Sequence, residues 1–110
     1  MDLVKQVYDL TDRFPREELF GLTSQIRRAI VSVPSNIAEG QGRSSTKEFL
    51  KHLSIAYGSL MEVETQTLIG NMRNYISDKE CESVLEKAAE VGRLINGLSN
   101  SLRKKLDSDR

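Results

Sequence analysis

The chain has 110 residues, with sixteen basic and sixteen acidic side chains, two prolines, one histidine, one cysteine and no tryptophan. That length supports one hydrophobic core rather than two, and zero net charge excludes a global attraction to nucleic acid or to an anionic membrane, so any such contact must come from local segregation of charge or from one patch repeated in an oligomer. A lone cysteine makes no internal disulfide, no apolar run approaches the ~20 residues that cross a bilayer, and the start lacks the layout of a signal peptide, which together predict a cytoplasmic protein with no membrane partner.

Taken in order, Leu3, Val7, Leu10 and Phe14 step by four, three and four, which predicts a short amphipathic helix over about 1–13. Pro15 stops or redirects it. Arg16, Glu17 and Glu18 then read as a first helical turn with proline ahead of it and acids where the helix dipole favours them. A second helix is expected over about 16–41. Its inner face is Leu19, Leu22, Ile26, Ala29/Ile30, Val33 and Ile37. Its back carries Ser24, Arg28, Val31, Ser35 and Ala38, mostly small or apolar, where a helix with one wet side would place longer polar groups. Pro34 lies in the middle. Either the helix stops near Val33 and restarts from a cap at Ser35 or Asn36, or it continues with a kink. The register of Ile37 with Val33 favours the second. Gly40 and Gly42 are the end signals.

Ser45 and Glu48 form a capping box that opens a third helix over about 46–72. Phe49, Leu53, Ala56/Tyr57, Leu60 and Leu68 are its expected core stripe, with Glu64 projecting onto it. Its back is again not plainly wet: Ile55, Gly58, Ser59, Glu62, Gln66 and Ile69. Gly58 weakens a helix interior by about 1 kcal/mol, for which a close backbone approach would compensate. Ser77 and Glu80 form a second capping box, and Val84, Ala88, Val91, Ile95, Leu98 and Leu102 mark a fourth helix over about 78–106, followed by a polar tail expected to fray. This helix divides by charge. Asp78 to Glu90 holds five acids and two bases, whereas Val91 to Lys105 holds four bases and no acid. Four apolar stripes with short connections predict an all-α, up-down-up-down four-helix bundle in one domain spanning 1–110, its second helix kinked near Pro34.

Catalytic chemistry is hard to place. His52 has no paired cysteine or serine on its helix face and reads as a solvated surface histidine, and a single histidine builds no metal cluster. Cys81 reads as a neutral, partly covered thiol. Glu62 and Glu64 point to different sides of their helix. Gly40-Gln41-Gly42-Arg43-Ser44 lacks the lysine of a phosphate-binding loop and follows no strand. The amides of Ser45 to Lys47, beside Arg43 and Lys47, can still hold one phosphate. On the fourth helix, Arg93, Asn96, Asn100, Arg103 and Lys104 share an outer side and carry donors suited to phosphate and sugar. Basic residues near a helix C-terminus also complement the macrodipole without any ligand. No aromatic residue is interleaved, so contact with nucleic acid would be to the backbone and blind to sequence. No cofactor is expected.

The segments FP, GLTSQIRRA, SVPSNIAEG, GR and AYGSLMEVE occur in an order that resembles the bacterial four-helix-bundle family of 23S rRNA intervening-sequence proteins, over nearly the whole chain. That family is related to the accessory variability proteins of diversity-generating retroelements. The resemblance implies a ring-shaped homo-oligomer, a pentamer in related proteins, and association with RNA or DNA without catalysis. It also implies a reverse transcriptase or another protein as a partner. The chain departs from relatives at its start, where they carry another turn or two of helix, so a trimmed or late-starting form is expected.

Two readings from different classes remain. One is a non-enzymatic, ring-forming accessory protein that contacts nucleic acid through basic strips. The other is a protein-binding helical scaffold whose grooves receive another helix, with no nucleic-acid contact. For assembly, the expected interface joins the two unlike back faces: Ser24, Arg28, Val31, Ser35 and Ala38 of the second helix against Ile55, Gly58, Ser59, Glu62 and Ile69 of the third.

Overall fold

The computed structural model describes residues 2–108. Its elements are α1 (Asp2–Thr11), a single 3-10 turn (Arg16–Glu18), α2 (Leu22–Gln41), α3 (Thr46–Met72) and α4 (Asp78–Ser108). Consecutive helices pack as neighbours and α1 closes the arrangement against α4, giving the up-down-up-down bundle. The body measures 52 × 24 × 18 Å.

The apolar stripes do the packing. Leu3, Val7 and Leu10 of α1 meet Ile26, Ile30 and Val33 of α2, Leu53, Leu60 and Val63 of α3, and Val84, Ala88 and Ile95 of α4 in one buried cluster. Each large aliphatic side chain so enclosed contributes about 1.5–3 kcal/mol. Helix α2 runs through Pro34 without a break, with Val33 fully buried and Ile37 packed on the same core. The alternative in which the chain restarts from a cap at Ser35 or Asn36 is therefore excluded. Asn36 instead turns its amide back to the carbonyl of Ser32 at 2.9 Å.

Several boundaries and faces differ from expectation. α1 closes at Thr11, whose hydroxyl bonds back to the carbonyl of Val7 at 2.8 Å. Shorter-range bonds from Arg13 and Phe14 then tighten the exit. α2 begins at Leu22 rather than Arg16, because the chain leaves helical geometry at Gly21 (φ −110°, ψ −112°). Glu18 serves this start, its carboxylate accepting the N–H of Leu22 at 3.3 Å. Leu19 therefore lies outside the helix and is exposed.

On α3 the inward steps run Leu53, Ala56, Leu60, Val63, Thr67 and Gly70, and Leu68 is 52% exposed. Thr67 is buried without penalty, since its hydroxyl donates to the carbonyl of Val63 at 2.7 Å. Gly58 meets nothing within 4 Å, so no close approach within the protomer accounts for it. The tight glycines are Gly40 and Gly70, where an added Cβ would lie 2.8 Å from His52 Cβ and 2.9 Å from Ile76 Cδ1 respectively. α4 stays helical to Ser108, beyond the expected fraying point, and the last two tail residues, Asp109 and Arg110, lie outside the described residues.

Candidate nucleic-acid interface

The antiparallel course brings the start of α1, the end of α2, the start of α3 and the later half of α4 to one end of the bundle. A cleft of about 450 Å³ marks their meeting, walled by Leu3, Ile37, Leu53, Leu94 and Leu98. Arg43 in the α2–α3 connection and Lys47 in the first turn of α3 therefore share an end with Arg103 and Lys104. Arg93 and Asn96 sit farther back on the outer side of α4, Arg93 about 15 Å from Arg103 by helical rise. Asn100 lies between them along α4, its side-chain carbonyl accepting from Arg103 Nη1 at 3.2 Å. All seven residues are exposed.

Not all of that charge is uncommitted. Arg43 Nη2 donates to Glu39 at 2.8 Å, one helical turn back. Ser45 Oγ accepts the N–H of Glu48 at 3.1 Å, so one amide of the α3 start is already used. The return bond from Glu48 is not formed, and this capping box is half made. The second box is complete, with Glu80 N–H to Ser77 Oγ and Ser77 N–H to Glu80 Oε1, both at 3.1 Å. The acidic first turns of α4, with Asp78, Glu80 and Glu82, lie toward the opposite end, while Glu90 lines the cleft.

The residues expected at a seam divide among three places. Ser24 and Val31 border a groove shared with α1, where Phe20 is 93% exposed. Ser35, Ala38, Ile55, Gly58 and Ile69 are exposed on α2 and α3. Arg28 and Glu62 line a cleft of about 400 Å³ between α2 and α3, together with Gln25, Ser32, Ser59 and Gln66. Ser59 departs from expectation: it is 8% exposed and its hydroxyl lies 2.9 Å from that of Ser32, so it belongs to the protomer's own α2–α3 contact rather than to an outer face.

Sequence reasoning passed over the polar chain that continues from this pair. Asn36 Nδ2 donates to Ser32 Oγ at 2.9 Å, and Asn36 Oδ1 accepts from His52 Nδ1 at 3.1 Å. His52 is thus half-buried and hydrogen-bonded across two helices, not a solvated histidine. The signal available was its place four residues before Ala56, on the flank of the α3 stripe. Gln66, expected on the back of α3, is 9% exposed, and its Oε1 has no hydrogen-bond partner.

Cys81 is buried. Burial, then the nearby Asp78 and Glu82 carboxylates, push its thiol above the usual range, which opposes reactivity. Among the described residues no group of histidine, cysteine and carboxylate side chains is arranged to hold a metal ion, and no helix is long and apolar enough to cross a membrane.

The sequence profile described as 23S rRNA-intervening sequence protein matches residues 1–97. The chain belongs to this family. A crystal structure of a protein with unknown function from the S23 ribosomal protein family of Bacteroides thetaiotaomicron is similar to it, at 23% identity and a TM-score of 0.82, covering 89% of this chain and 92% of that one. At that identity the likeness carries the fold alone, and the four-helix arrangement agrees. No curated protein matches the chain.

Proposed function

We propose that the protein is a non-enzymatic, cytoplasmic, oligomeric accessory protein that contacts the backbone of RNA or DNA through basic side chains at one end of its bundle. What supports this reading is that Lys47, Arg103 and Lys104 are exposed on helix ends that the antiparallel course puts at the same end of the bundle, away from the acidic start of α4. A neutral chain gains local pull on phosphate in this way, and repetition of the patch around an assembly, a pentamer by the family resemblance, multiplies it. The family description names an rRNA setting rather than a contact, and supports RNA as the first ligand to test.

The test is a salt titration of binding to a random-sequence RNA. Arg93→Ala/Arg103→Ala/Lys104→Ala should weaken binding about equally across sequences and flatten the dependence of log K on log salt by roughly one unit per lost contact. A parent protein that fails to bind at low salt, or a triple variant with the parent's salt slope, sinks the reading.

A further inference from the structure

The groove between α1 and the first half of α2 gathers planar side chains that the bundle leaves open. Phe20 lies between the 3-10 turn and the start of α2 and is 93% exposed, so its ring stabilises nothing within the protomer. Tyr8 of α1 lines the same groove of about 650 Å³. The Arg27 guanidinium lies over the Tyr8 ring, 4.8 Å from its centroid. Hydrogen bonds to Thr11 Oγ1 and Asp12 Oδ1, both at 2.8 Å, hold the guanidinium there. The groove thus combines a free aromatic face with a fixed guanidinium–aromatic stack, and these are the two kinds of surface on which unstacked RNA bases lie.

Charge selects an anion for this place. The groove is lined by Arg27 and Arg28 and by no carboxylate, whereas the apolar cleft includes Glu90 and the α2–α3 cleft includes Glu62. Arg27 is committed to Asp12. Arg28 is exposed and forms no ion pair among the described residues. It stands about 9 Å along α2 from the helix start beside Phe20. Ser24, between the two along the chain, adds a hydroxyl to the groove. A strand stacked on Phe20 therefore carries its phosphates past a free arginine. Helix α4 has no aromatic side chain, so its basic strip offers phosphate contacts alone.

We propose that the α1–α2 groove is a second nucleic-acid subsite, in which a base of single-stranded RNA stacks on Phe20 and a neighbouring phosphate pairs with Arg28. The proposal rests on the nucleic-acid reading above and adds to it a contact with bases.

Phe20 is exposed and outside any helix, so its variants fold, which circular dichroism checks. The chain has no tryptophan, and Phe20→Trp therefore places a single reporter in the groove. A short oligouridylate should quench its emission. An abasic strand of the same length, which keeps the phosphates, should not. Phe20→Ala should weaken oligouridylate binding about five- to hundredfold and leave the abasic strand unaffected. Phe20→Leu should lose as much, since it keeps apolar bulk without the π face. Arg28→Ala should weaken oligouridylate binding and lower its salt slope by about one. A parent that binds neither strand overturns both this proposal and the nucleic-acid reading. A parent that binds both strands equally, with the tryptophan unquenched, overturns the stacking and leaves backbone contact standing. Phe20→Leu with the parent's affinity marks a merely apolar contact of the kind a peptide makes. Tryptophan emission shifted to the blue without RNA, and restored by dilution, gives the groove to a second copy. Either of these results overturns the proposal.

Discussion

Where α3 turns into α4, Ile76 is almost fully enclosed and lies over Gly70, whose missing side chain makes the room. Phe14 and Tyr75 pack beside it with ring centroids 5.5 Å apart. Tyr75 donates its hydroxyl to Glu18 at 2.9 Å, while Asn71 Nδ2 donates to the Ile76 carbonyl at 3.1 Å and to Asp78 at 2.8 Å. Arg13 pairs with Glu80 across the same end. Asn74, at φ 64°, takes the left-handed conformation that asparagine tolerates better than most residues, and so lets the chain reverse. The opposite end is closed by other means: an added Cβ at Gly40 would lie 2.8 Å from His52 Cβ, and His52 bonds to Asn36 at 3.1 Å. Its α2–α3 connection is exposed, held by the Arg43–Glu39 pair and the Ser45 cap, and Leu94 beside the open cleft is 74% exposed. The contrast teaches that one end is closed by an apolar plug, whereas the basic end is held by polar contacts and a close glycine approach beneath a connection whose side chains are exposed.

The sharpest way to break this contrast is to remove an apolar side chain from each end. Ile76→Ala should cost about 2–5 kcal/mol in urea unfolding, through lost burial and the cavity left behind. Leu94→Ala should fall within about 0.5 kcal/mol of the parent. Equal costs would mean that the basic end is as tightly built as the other.

A pair of glycines gives the next effect in size. Gly70→Ala should destabilise by about 1 kcal/mol, because crowding against Ile76 and Phe14 outweighs the gain in helix propensity. Gly58→Ala has open space around it and should stabilise the isolated protomer by up to about 1 kcal/mol, read from the unfolding midpoint. A loss of stability at Gly58 that appears only under associating conditions would show that face to be covered in the assembly.

The smallest effect is electrostatic. The Ser77 backbone N–H, followed by the Arg13 guanidinium, holds the Glu80 carboxyl below its ordinary value against a smaller opposing contribution from burial. A lowered folded value means that the contribution to stability is complete above the ordinary carboxylate range and is lost as pH falls through that range toward the folded value. Glu80→Gln should therefore flatten the acid limb of the stability profile below about pH 4.5. An unchanged limb would place the acid sensitivity elsewhere.

Much of the frame could be read before any coordinates. The α1 stripe from Leu3 to Phe14 and the serine starts of α3 and α4 follow from local rules that tertiary packing did not override. Helix α3 was harder because it packs against α2 on one side and α4 on another. Its buried residues therefore spread over two seams, and a single line from Leu60 through Glu64 to Leu68 missed Val63, Gln66 and Thr67. Ser59 and Gln66 are polar residues inside a seam, which periodicity of apolar residues does not reveal. Gly40 and Gly58 are indistinguishable by composition. Only the neighbours brought in by folding separate the crowded one from the open one. Among the candidate contact residues, the exposure of the α4 strip was legible, whereas the capture of Arg43 by Glu39 depended on where α2 ends.

The shortness of α1 has a consequence for how the molecule comes together and apart. Ten residues are too few for a helix that persists alone in water, so α1 exists because it docks. It bonds to α2 across a short connection, Thr11 accepting from Arg27, and to α4 across a long one, Gln6 donating to Ser83. Closing the longer loop carries the greater entropic cost, by an amount that grows with the logarithm of its length. The α1–α4 contact is then expected to close later than the α1–α2 one, and a partial opening that frees α1 lets its amides exchange with solvent while the other three helices stay in place.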